Sequence, residues 1–124
     1  MVSNITEEYN LTYFGDSIEM KRTDCENHEV EISKFIKKDL GYYFISKYDT
    51  TLCLTILKDT MIVNYFDDEK YMTKIEKINS NLYKSSNYFI DNKRNNHFLT
   101  SFYYDKNYKI VRYEKAWTVS FIPH

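Results

Sequence analysis

The sequence predicts a mainly β protein, an antiparallel meander that is closed as a barrel or folded as a sandwich and carries one helix. Clusters of turn-forming residues recur along the chain, and short runs rich in aromatic and β-branched residues lie between them. Short strands at about 8–12-residue spacing with turn signals between them are typical of all-β sandwiches and barrels. The composition agrees, because 13 Tyr and 12 Ile accompany one Ala and no Gln. Tyr and Ile suit strands, whereas Ala and Gln favour helices.

The strands are predicted from the runs between the turn clusters. Residues 52–57 are apolar on both faces, which predicts a central strand. Residues 71–76 alternate between apolar and polar, which predicts a strand with one wet face. Further strands are expected at 61–66, 97–104, 108–113 and 116–122, the last with Trp117 buried. The turn clusters are at 15–16, 49–50, 58–59, 67–69, 79–81, 91–96 and 105–107.

One segment, about residues 24–39, has the pattern of a helix. Ile32, Phe35 and Ile36 follow helical spacing rather than alternation. Asp24 could cap the start and Gly41 could end the helix. The sequence therefore predicts one helix that covers an end or edge of the β structure. The alternative architecture is α+β, with this helix packed across one face of an open sheet.

The length and the termini bound the class of protein. A chain of 124 residues is the size of one domain, so a single domain over 1–124 is expected. The first twenty residues carry several acids and no basic-then-apolar leader. The longest apolar runs are far shorter than the ~20 residues of a bilayer span. These features predict a cytoplasmic protein without a membrane partner.

No pattern predicts catalysis or a metal site. The three histidines are far apart, and Cys25 and Cys53 have no ligand spacing. Two glycines in the whole chain leave no room for a glycine-rich phosphate loop. Cys53 lies in an apolar run, where a thiol is usually inert. We expect no enzyme activity, no catalytic residues, no metal and no cofactor.

The charge pattern supplies the candidate binding residues. Residues 1–31 hold eight acids and two bases, net −6, whereas residues 32–124 hold ten acids and fifteen bases, net +5. An acidic surface attracts basic partners and accelerates their association. This pattern favours a non-catalytic inhibitor, such as an immunity protein or antitoxin, that binds a basic toxic enzyme. The predicted partner-binding residues are Glu19, Asp24, Glu26, Glu29, Glu31 and the acidic turn Asp67, Asp68 and Glu69.

Two other functions remain open. A calycin-like barrel could hold a small apolar ligand in an aromatic interior. A single-stranded nucleic-acid binder is the second alternative, because basic residues alternate with aromatic ones over residues 70–115. The chain's net charge of −1 opposes it, and the aromatic residues are also needed for the core. Nucleic acid is therefore not an expected partner.

Overall fold

The computed structural model describes residues 7–24, 28–45 and 50–116, which form ten strands in two antiparallel five-stranded sheets. The first sheet contains β1 Glu7–Tyr13, β2 Ser17–Asp24, β3 Val30–Lys37, β4 Tyr42–Ile45 and β5 Thr50–Leu54. The second contains β6 Thr60–Phe66, β7 Glu69–Asn79, β8 Leu82–Ile90, β9 Asn96–Tyr104 and β10 Ile110–Lys115. The mainly β prediction is confirmed.

Each sheet is a meander in which every strand pairs with its neighbours in sequence. The spatial orders are β1-β2-β3-β4-β5 and β10-β9-β8-β7-β6. Successive turns of a meander alternate between its two ends. The β2–β3 turn therefore shares one end of the first sheet with the β4–β5 connection, and the β6–β7 and β8–β9 turns share one end of the second.

The two sheets face each other across an aromatic core. The ring centroids of Tyr9 on β1 and Tyr113 on β10 are 4.8 Å apart, and those of Phe35 on β3 and Phe102 on β9 are 5.8 Å apart. The Ile110 amide also donates a hydrogen bond of 2.8 Å to the Tyr13 hydroxyl. Within the described ranges, no strand of one sheet pairs with a strand of the other. The arrangement is thus a sandwich, and the closed barrel is wrong.

The predicted helix at 24–39 is also wrong, because β3 occupies Val30–Lys37. Strand alternation turns Phe35 into the core, where it is 4% exposed, while Ile32 is 57% exposed on the other face. This strand has apolar residues on both faces, and their combined spacing in the sequence resembles that of a helix. The α+β alternative is wrong as well, because it required this helix to pack on an open sheet. Among the described residues, no helix has the length and apolar character that crossing a membrane requires.

Gly41 ends no helix but allows the β3–β4 turn to approach β5. Its φ of +151° is one that L side chains rarely adopt. A Cβ at this position would lie 1.9 Å from the Leu54 carbonyl oxygen. Only glycine therefore fits at this contact without a shift of the backbone.

Most predicted turns connect strands as expected. The clusters at 15–16, 58–59, 67–69, 79–81, 91–96 and 105–107 all lie at or between strand ends, whereas Asp49 of the cluster at 49–50 lies outside the described residues. Asp67 and Asp68 have φ of 50° and 69°, which fits a two-residue hairpin with positive φ at both central positions. Cys25 and all but the first residue of the expected strand at 116–122, including Trp117, lie outside the described residues.

Candidate functional site

Most of the predicted acidic residues lie at one end of the sandwich. Arg22 and Glu31, beside the β2–β3 turn, line the same cavity as Phe66 and Tyr71, which flank the β6–β7 turn. The two turns therefore share one end of the molecule. We call this the acidic end, and it contains Asp24, Glu29, Glu31, Asp67, Asp68 and Glu69.

The β2–β3 side of the acidic end forms a small polar pocket of about 220 Å³. Backbone hydrogen bonds shape the turn, since the amides of Asp24 and His28 donate to the carbonyls of Glu29 and Asp24. Glu31 forms an ion pair with Arg22, directly across the strand pair. That ion pair offsets part of the negative charge here. The pocket is lined by Arg22, Asp24, Glu29, Val30 and Glu31.

The β6–β7 turn contributes the second acidic group. Asp67 and Asp68 are exposed at the tip of the hairpin. The next acid, Glu69, accepts a hydrogen bond of 2.6 Å from the Tyr71 hydroxyl. This bond is the main reason why the pKa of Tyr71 is raised. Asp67 and Asp68 thus present their carboxylates to solvent, while Glu69 also holds a tyrosine in place.

Two predicted residues are not part of the acidic end as described. Glu19 lies in the middle of β2, opposite Lys34 of β3 and Thr12 of β1. Its neighbours Ile18 and Met20 face the core, so Glu19 belongs to the outer face of the first sheet. Glu26 lies outside the described residues.

The structure adds Asp91, which sequence reasoning had treated only as a turn residue. Asp91 lies in the β8–β9 turn, at the same end as the β6–β7 turn. Its carboxylate is 2.8 Å from Nε2 of His97 and accepts hydrogen bonds from the amides of Lys93 and Asn95. The contact with His97 lowers the pKa of Asp91 most, and the hydrogen bond from the Asn95 amide lowers it further.

A cavity of about 340 Å³ lies between the sheets and opens at the acidic end. Its walls are buried, since Phe35 and Phe102 are 4% and 6% exposed, whereas the Glu31 side chain at the mouth is 63% exposed. The apolar lining consists of Met20, Phe35, Phe44, Cys53, Phe66, Tyr71, Phe102 and Tyr113. The polar lining consists of Arg22, Glu31, Ser33, Thr51, Asn64, Thr73 and Asn87.

Two asparagines line this cavity, and they differ in their partners. Asn87 is fully engaged, because its Oδ1 accepts from the Thr73 hydroxyl at 2.8 Å and its Nδ2 donates to the Thr100 hydroxyl at 3.1 Å. Asn64 is only 6% exposed and bonds to no described side chain, but its amide is not among the fully buried polar groups without a partner. Thr51 is also 6% exposed, and its Oγ1 lacks a partner. A buried polar group without a partner costs about 1–3 kcal/mol.

Cys53 lines the same cavity but lacks the properties of a nucleophile. Burial raises the pKa of its thiol to about 12. The Sγ atom donates a weak hydrogen bond of 3.4 Å to the Thr51 carbonyl oxygen. The thiolate is the reactive form, so this cysteine is inert near neutral pH.

An apolar groove lies at the side of the sandwich where β5 and β6 meet. It measures about 540 Å³ and includes Leu52, Leu57 and Ile62. Two of its hydroxyl groups have partners, since the Thr55 hydroxyl donates to the Leu40 carbonyl at 2.6 Å and the Thr60 hydroxyl to the Lys58 carbonyl at 3.0 Å. The cavity between the sheets is therefore the better candidate for a polar ligand group. No group of three or more potential metal ligands occurs within the described ranges.

The basic residues of the second half do not form one surface. Lys84 and Arg112 flank the ring of Tyr103, at 5.3 and 5.6 Å from its centroid, on the outer face of the second sheet. Lys93 and Arg94 lie in the β8–β9 turn, whereas Lys106 and Lys109 lie in the turn at the opposite end. These six residues therefore lie in three separate places.

Comparison with known proteins gives no relative, since no family model, curated protein or solved structure matches the sequence.

Proposed function

We propose that this protein is a cytoplasmic, non-catalytic binding module whose acidic end docks a basic protein partner, in the manner of an immunity protein or antitoxin that blocks a toxic enzyme. One observation carries the proposal. Two acidic groups that are distant in sequence, Asp24 with Glu29 and Glu31 and the turn 67–69, lie at the same end of the sandwich.

Charge and apolar area at this end suit a protein interface. Val30 is 52% exposed within the acidic pocket, and Ile45 is 48% exposed at the same end of β4. Protein interfaces combine apolar contacts at the centre with a polar rim. Asp67 and Asp68 would act at that rim, where charges mainly set the association rate.

The test is capture of the partner by the tagged chain in its source cells, followed by native mass spectrometry. A retained basic protein in a one-to-one complex supports the proposal. The variant Asp24→Asn/Glu29→Gln/Asp67→Asn/Asp68→Asn should lose that protein. A control with neutral substitutions at the opposite end, Asp16→Asn/Asp39→Asn, should keep it.

A growth assay tests whether binding to the captured partner also inhibits its toxic activity. The captured partner is expressed alone and together with the wild-type or the variant chain. We expect the partner to arrest growth, the wild type to restore it and the acidic-end variant to restore it poorly. Equal rescue by both chains would show that the acidic end is only a solvated surface.

A further inference from the structure

We propose that the cavity between the sheets is a binding site for a small neutral molecule that carries an aromatic ring and one hydroxyl group. The cavity opens at the acidic end, but its proposed binding groups lie inside the sandwich. Its mouth contains the Arg22–Glu31 ion pair, and its interior contains no other charged residue.

The polar groups of the cavity indicate what the ligand must offer. Asn87 and Thr73 already satisfy each other, and the Tyr71 hydroxyl is bonded to Glu69. Among the described residues, neither the Thr51 Oγ1 nor the Asn64 side-chain oxygen has a hydrogen-bond partner, but of the two only the Thr51 Oγ1 is fully buried. Buried polar groups in folded proteins nearly always have partners. A bound hydroxyl could donate to one of these oxygens and accept from the Asn64 amide.

The apolar walls indicate the rest of the ligand. Phe35, Phe44 and Phe102 form a connected set, with centroid distances of 6.1 Å between Phe35 and Phe44 and 5.8 Å between Phe35 and Phe102. Aromatic rings pack favourably on other rings in tilted or edge-on arrangements. A volume of about 340 Å³ lies at the lower end of the range for small-molecule sites. A charged ligand would lose its hydration without a free counter-charge inside.

The test compares two probes that differ only in a hydroxyl group, 4-methylphenol and toluene. Their affinities for the full chain are measured by calorimetry, and the Asn64 side-chain amide is followed by NMR. We expect 4-methylphenol to bind about tenfold more tightly, the factor that one hydrogen bond to a buried neutral group supplies. The Asn64 amide signals should shift with 4-methylphenol and hardly with toluene.

Three variants make the test specific. Asn64→Leu and Thr51→Val should each reduce the preference for 4-methylphenol. Ser85→Ala removes another buried hydroxyl without a partner, but Ser85 does not line the cavity, so this control should keep the wild-type preference. Equal affinity of the wild type for both probes, no binding of either probe, or shifts confined to other residues would overturn the proposal.

Discussion

The Tyr104 hydroxyl donates a hydrogen bond of 2.7 Å to the Thr55 carbonyl oxygen and accepts one of 3.1 Å from the Thr55 amide. Tyr104 ends β9 of the second sheet, whereas Thr55 directly follows β5 of the first. One fully buried side chain thus satisfies both backbone groups of a residue 49 positions away. Burial is also the main reason why the pKa of Tyr104 is raised.

Tyr104→Phe should lower the free energy of unfolding by about 1–3 kcal/mol, because both Thr55 backbone groups would lose a buried partner. Urea denaturation measures the change. Tyr83→Phe is the matched control, since Tyr83 stacks on Tyr104 at 5.6 Å but its hydroxyl bonds to no described residue. A loss of equal size in both variants would contradict the role of the Thr55 bonds.

Gly41→Ala should lower the free energy of unfolding by more than about 1 kcal/mol, because the new Cβ would meet the Leu54 carbonyl oxygen at a positive φ. Gly15→Ala should be neutral or slightly stabilising, since nothing lies within 4 Å of its Cβ position. Thermal denaturation of the pair measures the difference. Equal melting temperatures would show that the β3–β4 turn can move away from β5.

The two asparagines of the cavity should differ in their response to the same substitution. Without ligand, Asn64→Leu should change the free energy of unfolding by less than about 1 kcal/mol, because no described side chain loses a hydrogen-bond partner. Asn87→Leu should lower it by about 1–3 kcal/mol, because Thr73 and Thr100 would lose their partner. Chemical denaturation of both variants tests the assignment, and a loss at Asn64 would show that its amide has a partner in solution.

Cys53 should resist alkylation in the folded protein. In a Cys25→Ser background, iodoacetamide should modify Cys53 at pH 8 only in denaturant, as mass spectrometry would show. The folded pKa of about 12 exceeds the reference value of 9.0. The thiol therefore contributes stability that is complete below about pH 9 and is lost as the pH rises towards 12. Fast labelling of the native protein at pH 8 would contradict this burial.

Asp67→Asn/Asp68→Asn should slow association with a basic partner and flatten its salt dependence, because it removes two exposed charges. The melting temperature should hardly change, since asparagine also tolerates the positive φ of both positions. Stopped-flow association at two salt concentrations measures the effect. Asp16→Asn/Asp39→Asn at the opposite end should keep the wild-type rate, and a similar slowing there would point to a general effect of net charge.

The turn chemistry explains why much of the fold could be predicted from the sequence. Clusters such as 67–69 and 105–107 contain residues that hydrogen-bond their own backbone, and Asp105 Oδ1 does accept from the amides of Asn107 and Lys109. These turn signals depend only on neighbouring residues, so they can be recognised whatever the overall fold. The helix failed because spacing alone cannot separate a helix face from a strand that is apolar on both sides, as Ile32 and Phe35 show.

The candidate sites show a similar division. The acidic segments could be predicted from the local concentration of charge in the sequence. That they lie close together could not, because it depends on which turns share an end of the sandwich. The cavity could not be found, because Thr51, Asn64 and Asn87 come from three different strands and Asn64 resembles any other polar strand residue. The lack of a described partner for the buried Thr51 Oγ1 is likewise a property of the packed structure alone.

The consecutive strand order has a consequence for how the chain folds. Every strand pairs with its immediate sequence neighbours, so each sheet can grow by adding one hairpin at a time, with only short loops to close. Proteins dominated by local contacts fold faster than Greek-key sandwiches, whose strands wait for distant partners. The slow step would then be the docking of two preformed halves, and the bonds between Tyr104 and Thr55 would form only when that docking is complete.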